Sequence, residues 1–174
     1  MLRDMLLRPA EPDDAIAVAR VHVRSWQAAY RTLLPDDYLD QLRPEDRAQK
    51  YNFSSLDPLQ PQTIVAAEAG VIHGFATTAP AREPDMPGCG ELCALYVDPD
   101  QWSRGIGVAL VAAARSRLFD LGFRHAVLWV LVATFVQCVF TGSISGRLMA
   151  GAAQNRCGVL VSTKFATSAP FEPP

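Results

Sequence analysis

The sequence predicts an α/β domain in which helices flank a mixed β-sheet. Three observations predict it. The β-branched run Thr63–Glu68, the turn Ala69-Gly70 and the second run Val71–Thr78 read as an antiparallel hairpin. The strand Glu91–Val97, a helix starting near Ser103 and the buried strand Arg124–Leu131 follow one another, and a helical crossover makes such strands a parallel pair. A further helical-period stretch near the N-terminus supplies a second layer.

The elements follow in order. Leu6–Pro9 is a short strand. Pro12-Asp13-Asp14 starts a helix with acids in its first turn, and Ile16, Ala19 and Val23 continue it at helical spacing to about Tyr30. Leu33 to Pro61 is rich in Pro, Asp and Gln and reads as loop, with a short helix near Pro44–Lys50. The hairpin follows. Ala79–Gly90 carries three prolines and two glycines and reads as a loop. Asp98-Pro99-Asp100 ends the next strand. Ile106, Leu110, Ala114, Leu118 and Leu121 then share one helical face, and Gly122 stands where a helix C′ glycine belongs. After Leu131 the character changes. Residues 1–131 hold 30 charged side chains and residues 132–174 only four, in a Ser-, Thr-, Ala- and Gly-rich run without a sustained period. No element is predicted there, so the domain core is 1–131 and 132–174 is a divergent tail.

Composition excludes several functions. The 174-residue chain has 49% hydrophobic and 20% charged residues, enough to bury a core and too apolar for wholesale disorder. A net charge of −2 offers no basic field for nucleic acid phosphates or an anionic membrane. Cys89, Cys93, Cys138 and Cys157 form neither a disulfide framework nor a C-x-x-C pair, so no metal site is expected. The N-terminal residues have no apolar h-region, and the apolar stretch Ala126 to Phe140 is too short to span a bilayer. A reduced, cytoplasmic protein is expected.

One run carries chemistry. At Arg104-Gly105-Ile106-Gly107 a strand turns into a helix. Such a turn aims unpaired main-chain N–H groups from the positive end of a helix, and Gly105 and Gly107 let an anion come close. Arg104 adds charge. From the glycines alone, a bare turn between strand and helix is an equal reading. A dinucleotide-binding turn fits poorly, because Leu110 stands where its third glycine belongs.

The run ELCALYVDPDQWSRGIGVALVAAARSRLFDLGFRHAVLWVL resembles the core of the GCN5-related N-acetyltransferase (GNAT) family. Trp102 to Gly107 align with its [QR]-x-x-G-x-[GA] turn, with Trp102 in place of the usual Gln or Arg. LLRPAEPDDAIAVARVHVRSWQAAYRTLLP is similar to the first strand and helix of bacterial members, so the resemblance covers Leu6 to Leu131. It implies a twisted, mostly antiparallel sheet with one parallel pair splayed around acetyl-CoA. Leu95, Tyr96 and Val97 would offer main-chain groups to the pantetheine arm. The amides of Ser103, Arg104, Gly105, Ile106, Gly107 and Val108 would hold the pyrophosphate.

By the same resemblance Glu91 is the general base, taking a proton from the acceptor ammonium so that the amine attacks the thioester. An edge carboxylate facing solvent or paired with an arginine is the alternative. Trp26 and Tyr30, four apart on the first helix, would shape the acceptor pocket, or else pack as helix aromatics. His22, His73 and His125 have no ligand-spaced partner. Cys93, placed on Glu91's strand face, reads as a small packed residue. The implied partners are acetyl-CoA and an amine, with no metal, nucleic acid or membrane. The alternative function is a CoA-binding remnant without catalysis.

The tail departs from the family, whose next helix carries a tyrosine that protonates the leaving thiolate. This chain has tyrosines only at 30, 38, 51 and 96. Read from the third base of each codon, the tail's own residues permit another sequence. Phe140/Thr141, for example, gives only Tyr or His. A permitted string is G-[DN]-V-R-[AS]-V-R-F-Y-R, followed at Ser145–Ala150 by W-[AP]-A-D-G, which resembles the missing helix and the turn after it. The tail is therefore expected to be a frameshifted reading of a family C-terminus, the alternative being a divergent end with a fold of its own, with the last strands atypical or missing. An uncovered sheet would favour a homodimer.

Overall fold

A computed structural model describes residues 5–82, 88–131, 146–150 and 156–161. It contains strands β1 (Leu6–Pro9), β2 (Gln62–Glu68), β3 (Val71–Pro80), β4 (Gly90–Val97), β5 (Ala126–Leu131), β6 (Gly146–Ala150) and β7 (Arg156–Val161). The helices are α1 (Ala15–Ala29), α2 (Asp36–Asp40), α3 (Pro44–Ala48) and α4 (Ile106–Asp120). The sheet order is β1-β2-β3-β4-β5-β7-β6. Every neighbouring pair is antiparallel except β4 and β5, which the crossover helix α4 joins in parallel.

Each face of the sheet buries one long helix. Val18 and Val21 of α1 pack on Val65, Ala67, Ile72 and Phe75. Ile106, Leu110 and Ala114 of α4 pack on Ala66 and Ala76 from the other side. In α4 the buried positions are Ile106, Leu110, Ala114 and Leu118, an unbroken i, i+4 series. The short α2 precedes Pro44–Lys50, the one helix expected between Leu33 and Pro61. Pro35 followed by Asp36 and Asp37 in its first turn is the start signal there.

α4 ends as its sequence predicts. Gly122 has φ 89°, its N–H donates to Phe119 C=O at 2.8 Å, and Phe123 N–H donates to Leu118 C=O at 3.0 Å. That is the paired closure of a Schellman turn. A Cβ at Gly122 would meet nothing within 4 Å, so only the backbone conformation requires glycine. Gly122→Ala is expected to cost about 1 kcal/mol in a urea titration, with no change in ligand affinity.

The expectation that the tail has no elements is corrected in two places. β7 pairs along β5 from Ala126↔Val161 to Leu131↔Arg156, and β6 pairs outside β7. β5 needs a partner on that side, and main-chain pairing supplies one without regard to charge or period. The rest of the tail, and with it most of the frameshift reading, lies outside the described residues.

Candidate functional site

Two features of β4 define the site. The first is a fork. β4 and β5 pair at Gly90↔Ala126, Glu91↔Val127 and Leu92↔Leu128, and no further. From Cys93 onwards β4 runs on to Val97 without β5 beside it. Asp98 N–H donates to His73 C=O on β3 at 2.8 Å. By alternation, Leu95 and Val97 turn their N–H and C=O groups away from β3, into the fork.

The second feature is the bulge that starts the fork. Thr77 opposes Ala94 while Thr78 opposes Leu92, so Cys93 is the extra residue. The bulge changes the phase of the strand. Leu92, Leu95 and Val97 pack with the α4 cluster, while Ala94 and Tyr96 pack with the α1 cluster. Glu91, next to Leu92, therefore points to the α1 side. It is half-buried and sits in the interior of the sheet, opposite Ala79 on one side and Val127 on the other. Glu91 therefore does not stand at a sheet edge. Cys93 is also corrected: it is exposed rather than packed, with its Sγ 3.9 Å from Glu91 C=O. The bulge, which leaves no pattern in the sequence, is the reason.

The far end of β4 meets the start of α4. Gly105 is the N-cap in the left-handed region, at φ 86°, and the first helical hydrogen bond is Ala109 N–H to Gly105 C=O at 3.1 Å. The N–H groups of Ile106, Gly107 and Val108 therefore have no helical acceptor. A Cβ at Gly107 would touch only Val97 Cγ2, at 3.8 Å. The protein's own packing leaves room for a side chain there, so the glycine keeps open space over the N–H groups. That geometry fits an anion. Ser103 adopts φ 62° in the turn, Arg104 is held by the Gln101 side chain, and Val108 is 76% exposed.

Glu91 and Val97 are six residues apart, about 20 Å along an extended strand. The candidate site is therefore long, with amides that have no helical acceptor at one end and a carboxylate beside the fork's apex at the other.

The α1 side carries an aromatic array. The His22 ring lies tilted against Tyr96 and Trp26, with centroids 4.5 and 5.5 Å away, and Trp26 meets Tyr30 edge-on at 5.2 Å. Trp26 and Tyr30 thus share one face, as their spacing predicts. Trp26 Nε1 is buried and has no hydrogen-bond partner among the described residues. His22 itself is 5% exposed, its Nδ1 is 2.8 Å from Tyr51 Oη, and burial, with Arg47 adding to it, pushes its pKa down to about 3. It is a neutral core group.

The sign of its pH effect follows. Below pH 6.5 the unfolded chain binds a proton at His22 that the folded chain refuses until about pH 3. Stability is expected to fall by about 1.4 kcal/mol per pH unit from this group across that window. Denaturant midpoints measured between pH 7 and pH 4.5 check it, and His22→Phe should flatten that part of the slope. Asp14, held low by its bond to Arg8, contributes in the same direction at still lower pH and persists in the variant.

Among the described residues no group of three or more His, Cys, Asp or Glu could hold a metal, and no helix is long and apolar enough to cross a membrane.

Residues 23–137 match the family model of the acetyltransferase (GNAT) family. The uncharacterized N-acetyltransferase YuaI of Bacillus subtilis (strain 168) is 32% identical over 125 residues, covering 72% of this chain and 70% of its own. The structure of the PaiA N-acetyltransferase from Thermoplasma acidophilum in complex with coenzyme A is 17% identical, with a TM-score of 0.70 over 90% of this chain and 98% of its own. A GNAT family acetyltransferase from Brucella melitensis in complex with acetyl-CoA is 22% identical, with a TM-score of 0.52 over 95% of this chain and 91% of its own.

Proposed function

The chain belongs to the acetyltransferase (GNAT) family, and from that premise we propose that it transfers an acetyl group from acetyl-CoA to a primary amine. The observation that carries the proposal is the combination on one strand: the fork beyond Leu92 and Leu128, and the open N–H cradle over Gly107 at its far end. The distance between them suits a ligand with an anionic group at one end and its reactive carbon at the other. Acetyl-CoA has that form.

In this reading the amides of Ile106, Gly107 and Val108, with Ser103, Arg104 and Gly105 shaping the turn, take the pyrophosphate. Leu95 and Val97 offer main-chain groups to the pantetheine arm. Tyr96 turns its main chain to β3 and contributes its ring to the α1 side. The thioester comes to rest near the fork's apex, beside Glu91. The acceptor arrives as an ammonium ion. Glu91 accepts one proton, directly or through water, and the free amine attacks the thioester carbonyl. The tetrahedral intermediate collapses with loss of the CoA thiolate, and the second proton that the nitrogen sheds as the amide forms passes through water to that thiolate, giving CoA thiol. No residue is proposed to donate that proton. Trp26 and Tyr30 form one wall of the acceptor pocket in this reading.

Direct attack in a ternary complex requires no covalent enzyme intermediate, because the thioester is already activated. Release of CoA thiol, followed with a thiol reagent over a panel of primary amines, tests the proposal. Turnover on at least one amine is expected. Tight acetyl-CoA binding with no turnover on any amine would select a non-catalytic CoA-binding protein instead.

A further inference from the structure

Trp102 occupies the position where the turn motif usually carries Gln or Arg, and the structure gives its indole a definite task. Its Nε1–H donates to Val97 C=O at 2.8 Å. The Ser25 hydroxyl, from α1, donates to the same oxygen at 2.9 Å. A carbonyl oxygen has two lone pairs, so these two donors fill it. Val97 is also the residue beneath Gly107, with Cγ2 3.8 Å from where a Cβ would stand. The strand end that faces the fork and the turn that carries the anion cradle therefore meet at one residue, and Trp102 ties them together.

A second tie holds the loop between them. Arg24 of α1 pairs with Asp98 at 3.0 Å and Asp100 at 2.7 Å, while Asp98 accepts the Asp100 N–H at 3.0 Å. Nearly half of the Trp102 surface is exposed, so burial of the ring does not explain its placement.

We infer that Trp102 is a positioning residue for acetyl-CoA: its indole N–H fixes the anion-binding turn on the end of β4. The cradle is thereby set at the correct distance from the main-chain groups of Leu95 and Val97. The inference rests on the acetyl-CoA reading of the site. It also narrows that reading. With its oxygen filled, Val97 has only its N–H left for the pantetheine arm, and Leu95 C=O becomes the acceptor on that strand.

Loss of the indole N–H leaves Val97 C=O still bonded to Ser25. Folding stability should therefore change little, while the turn loosens. That separates positioning from a merely structural role. Glutamine can reach about as far as the indole nitrogen and restores an N–H donor, so it serves as the conservative rescue.

The test is calorimetric titration of the full chain with acetyl-CoA, alongside melting curves without ligand, for Trp102→Phe, Trp102→Gln and Gly107→Asp. Trp102→Phe is expected to weaken acetyl-CoA roughly three- to tenfold. Trp102→Gln should stay within about twofold of the parent, and both should melt within about 2 °C of it. Parent-like affinity in Trp102→Phe, with Gly107→Asp unable to bind, overturns the inference and leaves the acetyl-CoA site standing. Equal weakening in Trp102→Phe and Trp102→Gln also overturns it, because the N–H would not be what matters. So does a large drop in the ligand-free melting temperature of Trp102→Phe. Normal binding by Gly107→Asp would overturn the site reading itself, and the inference with it.

Discussion

Gly107→Asp is expected to abolish acetyl-CoA binding while leaving the fold intact. Two facts set this expectation. A Cβ at position 107 would contact only Val97 Cγ2, at 3.8 Å, which is ordinary packing distance. The position has helical rather than left-handed backbone, so a side chain causes no strain there. The fold should therefore accept the change, with an unaltered far-UV spectrum. The ligand should not. The carboxylate fills the space over the unpaired N–H groups of Ile106, Gly107 and Val108, and it brings negative charge to the site proposed to take phosphate oxygens. Hydrogen bonds to a charged group contribute about 1.5–3 kcal/mol each. Losing two of them corresponds to a weakening of at least about 100-fold, before repulsion is added. Calorimetry with acetyl-CoA reads it directly. Unchanged affinity would mean that the pyrophosphate lies elsewhere.

Gly107→Ala serves as a graded companion. It adds a methyl group and no charge. A smaller loss is expected, because the amides remain and only the close approach is hindered. If alanine and aspartate weaken binding equally, crowding dominates and the site's charge preference counts for little.

The site was legible in the sequence to different depths at its two ends. The strand–turn–helix end was readable because its signal is local. A strand, two glycines two apart and a helix with apolar residues at i, i+4 spacing lie within some thirty residues, and backbone geometry follows from them. The Schellman closure at Gly122 was readable for the same reason. The fork's apex was less so. That Glu91 lies in the interior of the sheet depends on β3 and β5 both reaching it, and pairing partners are not local information. The bulge at Cys93 was invisible, and it reversed the expected face of everything beyond it. Counting by twos from Glu91 puts Cys93 on its face, whereas the structure puts Ala94 and Tyr96 there. One extra residue in a strand flips the alternation, and no residue type announces it.

Trp102 shows a different limit. In the sequence it is only a departure from the family's turn motif. Its bond to Val97 could not be read from the sequence, because a turn's path back onto its own strand is set by three dimensions, not by spacing. The tail strands β6 and β7 were missed because charge and periodicity, the two signals used, are both weak where main-chain pairing supplies the organisation.

Glu91→Gln is expected to lower kcat/KM by about 10²–10⁴ at pH 7 and to recover much of that loss by pH 9. The argument begins from the acceptor. A primary amine with a pKa near 10 is almost wholly ammonium at neutral pH. Its lone pair becomes available only after a base removes a proton, and in the proposed mechanism Glu91 is that base. Each unit of rising pH raises the free-amine fraction about tenfold until the amine's own pKa is reached. The variant gains from this, because it must rely on amine that is already free. The parent gains less, because its carboxylate does the same work at neutral pH. The ratio of parent to variant should therefore shrink as the solution becomes alkaline. Glutamine keeps the size of the side chain and stays within a strand paired on both sides, so the sheet should hold. Acetyl-CoA affinity should also hold, since the anion cradle lies at the far end of β4. A loss of constant size from pH 7 to pH 9 would assign Glu91 to placing the acceptor rather than to moving its proton. A loss that appears in acetyl-CoA affinity instead would place the carboxylate against the thioester arm, and the catalytic assignment would have to move to another residue on the α1 side of the fork.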